Sequence, residues 1–262
     1  MRVLVCIKQV PDTTHVEVDP ETGILKREGV ASKINPYDLY AIETAVRIAH
    51  ETEGRTFVLT MGPPQAEEVL REALWMGADD PYLLTDQGFA GSDVLATSYT
   101  LSQGIRSIGD IDLIVCGKQT TDGDTAQVGP EIAEFLSIPH ATNVSRIISV
   151  GKGTIRVEID YPEYSEEAEI SLPALIAVDK GINTPRLPSY RRSKLTSSQP
   201  ITRLTLSDLE DKDPTHYGIH GSPTRVVRIF PPEKNSGRDI WEGTGEELGS
   251  RLFEELSRMK MI

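Results

Sequence analysis

Along residues 1–137, short apolar runs alternate with amphipathic stretches. Arg2–Lys8 is apolar and β-branched, as a strand buried on both faces requires. Residues 9–34 are rich in Pro, Asp, Thr and Gly, and VEVDPETGILKRE within them reads as a hairpin turning at Asp19–Gly23. Asn35-Pro36 opens a helix, with asparagine suited to cap free N–H groups and proline suited to the first helical position. Leu39, Ile42, Ala45, Val46 and Ala49 then fall on one face. The pattern recurs. Arg55–Met61 is a strand ending at Gly62-Pro63, and the helix after it turns Ala66, Val69, Leu70, Ala73 and Leu74 inward. Tyr82–Thr85 is a short strand, followed by a helix with Val94, Leu95, Ser98 and Leu101 inward. Leu113–Cys116 leads through a loop into a helix around Glu131–Leu136. Strand–helix alternation on this scale predicts an α/β fold: a doubly wound parallel sheet covered on both faces.

After residue 138 the pattern changes. Thr142–Val150, Thr154–Tyr161, Ala168–Leu172 and Ala174–Val178 are strand-like, and are expected to extend the sheet as added antiparallel strands. Residues 183–245 carry many Pro, Ser, Arg and Gly residues and only small apolar clusters. So long a stretch without regular elements is uncommon in a compact domain, so it is expected to lie on something else. A terminal helix follows with Leu248, Leu252, Phe253 and Leu256 on one face. The predicted organisation is a nucleotide-binding α/β domain over 1–182, then an extended arm and C-terminal helix over 183–262 wrapping a partner subunit.

Composition narrows the function. Hydrophobic residues at 38% and charged residues at 26% describe a folding chain. A net charge of −13 argues against nucleic acid and against anionic membrane surfaces. No apolar run approaches the roughly 20 residues that a membrane span needs, and the N-terminal stretch reads as a first strand and not a signal peptide. Cys6 and Cys116 both lie in apolar strand-like runs and are read as buried, reduced thiols of a cytoplasmic protein. His216 and His220, with Gly218 between them, read as loop residues and not as metal ligands.

In an open parallel sheet, ligands bind at the carboxyl ends of strands where strand order reverses. Cys6–Asp12, Met61–Pro63 and the loop after the fourth strand converge there. That loop runs through Gly117, Lys118, Gln119, Thr120, Thr121, Asp122, Gly123, Asp124, Thr125, Ala126, Gln127, Val128, Gly129 and Pro130. Its small residues admit a close backbone approach, and the helix after it offers free N–H groups to an anion. Thr121, Thr125 and Gln127 suit phosphate and ribose oxygens. Asp122 and Asp124 repel phosphate, which leaves them ribose or backbone contacts. Lys8 and Lys118 offset phosphate charge. Helix capping alone also accounts for Asp and Thr in such a loop. Phosphate-loop, GxGxxG, GxSxG and HExxH signatures are missing, and no side chain is assigned a catalytic role.

GKQTTDGDTAQVGPEIAEFL resembles the nucleotide loop and helix of electron-transfer flavoprotein β subunits. So do RVLVCIKQVPDT, INPYDLYAIETAVRI, LTMGPPQAEEVLREALWMGAD, LPALIAVDKGINTPRLPS and HGSPTRVVRIF, and together they cover nearly the whole chain. The resemblance implies an adenine nucleotide α-hydrolase-like core and a heterodimer with a flavin-bearing α subunit. It places nucleotide contacts at Cys6, Asn35–Asp38, Met61 and Gly117–Gly129, with Lys8 and Val10 beside them. Two branches of the family differ in this subunit. In the bifurcating branch it holds FAD, which takes hydride from NADH and splits the electron pair; in the housekeeping branch it holds AMP as a structural ligand. Val10-Pro11-Asp12-Thr13 and Gly123-Asp124-Thr125 look more like the bifurcating branch, and Gly123 leaves room for a longer ligand. An ATP-binding regulatory module on a similar sheet is the rival from another class, and the long arm speaks against it.

Two departures stand out. IDYPEYSEEAEISLP replaces a glycine-containing turn common in the family. Tyr190, followed by Arg191, stands where the family's recognition loop usually places the leucine on which acyl-CoA dehydrogenases dock. That makes a dehydrogenase of another type, such as one oxidising a 2-hydroxy acid, an alternative partner to an acyl-CoA dehydrogenase.

Overall fold

The computed structural model describes residues 1–12, 32–227 and 239–262. In chain order its elements are β1 (Arg2–Cys6), β2 (Gln9–Pro11), β3 (Ser32–Ile34), α1 (Pro36–Glu51), β4 (Arg55–Met61), α2 (Glu67–Met76), β5 (Asp80–Leu84) and α3 (Val94–Ile108). There follow β6 (Leu113–Gly117), α4 (Val128–Leu136), β7 (His140–Val150), β8 (Thr154–Asp160), β9 (Ser165–Ser171), β10 (Ala174–Val178), α5 (Tyr190–Leu195), β11 (Thr202–Leu204) and α6 (Gly245–Arg258). The main sheet has the order β11-β5-β4-β1-β6-β10-β7-β8-β9. All pairs from β11 to β7 are parallel, and β7, β8 and β9 continue antiparallel.

Alternate residues of one strand enter two cores, as the period of two requires. Val3 and Val5 pack with Ile42, Ala45 and Leu70 under α1 and α2. Leu4 and Cys6 pack with Leu101, Ile105 and Ile132 under α3 and α4. A sheet covered on both faces is thus built from strands that are apolar throughout. From β1 the chain steps to β4 and β5 on one side, then returns to β6 on the other. Strand order therefore reverses between β1 and β6, whose carboxyl ends lie side by side.

The predicted elements recur with four differences. First, β10 does not extend the antiparallel edge. It inserts between β6 and β7, parallel to both, because ALIAV is buried at every position and only a central strand offers two covered faces. Second, Leu95 at the start of α3 is 42% exposed, while Ser98 and Leu101 face inward as expected. Third, Asn35 precedes α1 but makes no side-chain cap there; its amide is used elsewhere. Fourth, the stretch after residue 183 has regular elements. The compact unit runs to Val227, beyond the boundary expected at 182. Asn183 donates to Tyr40 O and Thr44 Oγ1, Arg186 reaches Glu43, and β11 joins the sheet beside β5. Tyr217 is wholly buried in the core under α3. Polar anchors, invisible to a hydrophobic pattern, hold this segment down.

The expected hairpin VEVDPETGILKRE lies outside the described residues; β2 and β3 pair antiparallel with each other. Residues 228–262 form a second unit. Within it α6 is opened by a capping box between Thr244 and Glu247, and Arg251 stacks on Trp241 at 4.5 Å. Leu252 and Phe253 are 51% and 64% exposed. Among the described residues no helix is long and apolar enough to cross a membrane.

Candidate functional site

At the carboxyl end of β1 the chain turns at Lys8, whose backbone N–H donates to Asp38 Oδ2 at 2.7 Å. Asp38 belongs to the first turn of α1 and is buried, at 4% exposure. Its Oδ1 accepts from Asn35 Nδ2 at 3.0 Å, and the carboxylate lies against the Gly117 backbone at the end of β6. Asn35 Nδ2 donates in addition to Gln119 O at 2.9 Å, and Asn35 Oδ1 accepts from Thr121 N at 3.2 Å. The Asn35 N–H completes the link by donating to Lys8 O at 2.9 Å. Three chain segments thus meet on two buried side chains. Gly117 is obligatory here, since a Cβ at this position would stand 2.3 Å from Asp38 Oδ1.

Burial pushes the Asp38 carboxyl up to about 7, against the pull of Asn35, of the Lys8 and Gly117 amides and of the Lys8 ammonium. Cys6 and Cys116 are direct partners in the β1–β6 register, and both are buried free thiols. The neighbouring Cys6 thiol, with burial added, pushes the Cys116 thiol well up.

Beyond Thr120 the loop faces solvent, with Thr121–Gln127 exposed. Asp124 and Ala126 adopt left-handed backbone at φ 54° and 56°, a strained shape for non-glycine residues. Burial of Asp122 is outweighed by Lys8, whose Nζ lies 2.8 Å from Asp122 Oδ1, and the carboxyl is held below its usual range. Asp124 accepts from Gln119 Nε2, and Lys118 pairs with Asp179 at 2.8 Å. Lys118 is therefore committed to the end of β10 and is not aimed at the loop. Gln127 caps α4 with no side-chain bond, so the first-turn N–H groups of Val128 and Gly129 face the loop uncapped by any side chain.

The predicted residues thus divide. Lys8, Met61 and Gly117–Gln127 border the crevice at the ends of β1, β4 and β6, with Val128 and Gly129 opening α4 behind it. Cys6, Val10, Asn35 and Asp38 are buried, Val10 on the separate β2–β3 pair. The donor set fits an adenine nucleotide: hydroxyls, amides, one ammonium and an uncapped helix start, beside a backbone that only glycine permits at Gly117. Tyr190 and Arg191 are apart from it on α5, against α2, with Tyr190 77% exposed and Lys194 Nζ 5.2 Å from its ring centre.

Asn35 and Asp38 were expected as nucleotide contacts; the structure instead shows them buried and bonded to Lys8, Gln119 and Thr121, a junction that sequence reasoning did not foresee. Sequence reasoning also missed Glu43, a buried carboxylate on α1. Burial there is outweighed by Arg186 and Arg47, which hold it below its usual range. A third cluster lies around Asp211, which accepts from Tyr99 OH at 2.5 Å and sits 2.6 Å from His216 Nδ1. Those two bonds hold its carboxyl down to about 2.

The electron transfer flavoprotein domain matches residues 22–209. An electron transfer flavoprotein subunit beta of Thermoanaerobacterium thermosaccharolyticum is 44% identical over 263 residues, covering 100% of both chains. The caffeyl-CoA reductase-Etf complex subunit CarD of Acetobacterium woodii is 44% identical over 264 residues, again covering 100% of both. The protein FixA of Sinorhizobium fredii is 42% identical over 98% of this chain and 92% of its own. With the doubly wound sheet, the crevice at its switch point and similarity along its whole length to β subunits, this chain belongs to the electron transfer flavoprotein family.

Proposed function

We propose that this chain is the β subunit of a heterodimeric electron-transfer flavoprotein that holds FAD in the crevice between β1 and β6 and exchanges electrons with NAD(H). When bound, FAD would supply hydride acceptance and the division of the electron pair between the α-subunit FAD, which serves a flavoprotein dehydrogenase, and a second one-electron acceptor. The chain's own residues bind and orient. Lys8 and the N–H groups of Val128 and Gly129 offset phosphate charge. Thr121, Thr125 and Gln127 supply neutral hydrogen bonds, and Asp122 and Asp124 take ribose or backbone contacts. Cys6, Val10 and Met61 give the ligand an apolar floor that excludes water.

The observation that carries this reading is the uncapped start of α4 behind an exposed, left-handed loop at the switch point, in a chain similar from end to end to β subunits. The CarD relative, named as a subunit of a caffeyl-CoA reductase-Etf complex, favours a dehydrogenase acting on a CoA thioester as the partner. Tyr190 and Arg191 are the proposed docking point for that dehydrogenase, and a 2-hydroxy-acid enzyme is the alternative occupant. The exposed apolar face of α6 is the proposed contact with the α subunit, within an arm that wraps it. We place the heterodimer in the cytoplasm. The second reading is the housekeeping form with AMP in the same crevice, which the same hydrogen-bonding groups would serve.

Releasing and quantifying nucleotide from the heterodimer separates the two. Two FAD per heterodimer with little AMP is the expected result. One FAD with one AMP overturns the bifurcating form and leaves a one-way carrier, and no flavin overturns both.

A further inference from the structure

We infer that Asp38, joined by Asn35, is a positioning residue that sets the shape of the nucleotide crevice without its side chain touching the ligand. The inference rests on the nucleotide reading above. Three observations carry it. The carboxylate is buried between the two walls of the crevice: it accepts the Lys8 N–H after β1 and lies directly against the Gly117 backbone at the end of β6. Asn35 is wholly buried, and its amide ties Asp38 to both Gln119 and Thr121 in the exposed loop. At Gly117 no Cβ fits beside Asp38 Oδ1, so the walls meet at backbone distance.

Every donor around Asp38 serves the ionised carboxylate, which has two oxygens and no proton to place. The groups facing it are the Lys8 ammonium from the turn after β1 and the Cys116 thiol from β6. Asp122 of the loop stands behind Lys8, and Tyr37 of α1 lies alongside Gly117. Because burial places the carboxyl near neutrality, its proton takes an oxygen away from the amide donors within the working pH range. The junction is firm when Asp38 is charged and loosened when it is not. Nucleotide affinity then follows the charge on a residue that the nucleotide does not reach.

The test uses the full chain with its α subunit, stripped of nucleotide, titrated calorimetrically with AMP and separately with FAD from pH 6 to 8. At pH 8, Asp38→Asn keeps the shape but turns an amide N–H towards the donors that serve the carboxylate, the Lys8 N–H and Asn35 Nδ2, and weakens binding about tenfold. The ratio of variant to wild-type affinity closes towards one at pH 6, where wild type has lost the same charge. The phosphate's own proton is common to both proteins and cancels in this ratio. Binding within twofold of wild type at pH 8 overturns the inference, and so does a ratio that stays constant across the range, which would mean packing alone. If Asp38→Asn does not give a folded heterodimer, Asn35→Ala reads the same junction from the loop side. Its expected loss at pH 8 is about fivefold, and binding within twofold overturns the inference. Wild type that binds neither nucleotide overturns the nucleotide reading and this inference together, whereas normal wild-type binding with unaffected variants overturns this inference alone.

Discussion

Glu43→Gln is expected to destabilise the α/β unit by about 2–3 kcal/mol, and the structure says why. Glu43 is 3% exposed, yet its carboxylate accepts from Arg186 Nε at 2.6 Å, Arg186 N at 3.1 Å, Arg186 Nη2 at 3.2 Å and Arg47 Nε at 2.5 Å. Glutamine keeps the volume and one oxygen. It turns an amide N–H towards donors that need an acceptor, so at least one bond to a charged group is lost, at about 1.5–3 kcal/mol. The loss stays below the 3–5 kcal/mol typical of a broken buried pair. Arg186 and Arg47 are half exposed and recover water when released. For a unit of this size, about 2–4 °C of Tm accompanies each kcal/mol, so thermal unfolding followed by circular dichroism should show a fall of roughly 4–12 °C. The Arg186 amide should also exchange faster, because Glu43 is what pins the segment entering α5. Arg186 and Arg47 depress the Glu43 pKa, so the stabilisation is full above the unfolded value near 4.3 and disappears as pH falls through the lower folded value. The wild-type advantage over Glu43→Gln should therefore shrink in acid. A variant within about 0.5 kcal/mol of wild type at pH 7 would refute the reasoning.

Three further outcomes follow from other contacts. Arg192→Ala removes donors to Leu74 O at 2.8 Å and Ala78 O at 2.7 Å beyond the end of α2, and should cost about 1–3 kcal/mol in urea unfolding. It should also weaken coupling to the dehydrogenase, since it anchors the helix that presents Tyr190; unchanged turnover with the dehydrogenase would contradict that. Tyr217→Ala empties a fully buried aromatic site and should cost about 3–5 kcal/mol, read by the same assay. The His216 pKa is raised by its bond to Asp211, so this pair stabilises the fold below the unfolded histidine value near 6.5 and loses that effect as pH rises through the folded value. His216→Gln should therefore flatten the decline in Tm between about pH 6 and 8, and an unchanged slope would count against it.

Much of this was legible in the sequence, for stated reasons. Val3, Leu4 and Val5 are apolar in succession because they feed two cores, and that run identified β1 as central. The loop Gly117–Gly129 announced itself by its small and hydroxyl residues, and the reversal of strand order places it at the crevice. The position of β10 was harder. An apolar run shows that both faces are covered but not which strands flank it, and only pairing with β6 and β7 decides. The segment from Asn183 to Tyr217 was illegible because much of what holds it is polar contacts from Asn183, Arg186 and Arg192, which have no periodicity. Asn35 misled in an instructive way. Its type fits a helix cap, but its amide is spent on Asp38, Gln119 and Thr121, partners 3 to 86 positions distant.

The most direct test of the central claim is where an adenine nucleotide attaches. Photolabelling the heterodimer with 8-azido-AMP, followed by peptide mapping of this chain, should mark residues among Cys6–Val10, Met61 or Gly117–Gly129, with the label suppressed by unlabelled AMP or FAD. Suppressible label confined to other segments of the chain would contradict a nucleotide site at the carboxyl ends of β1 and β6.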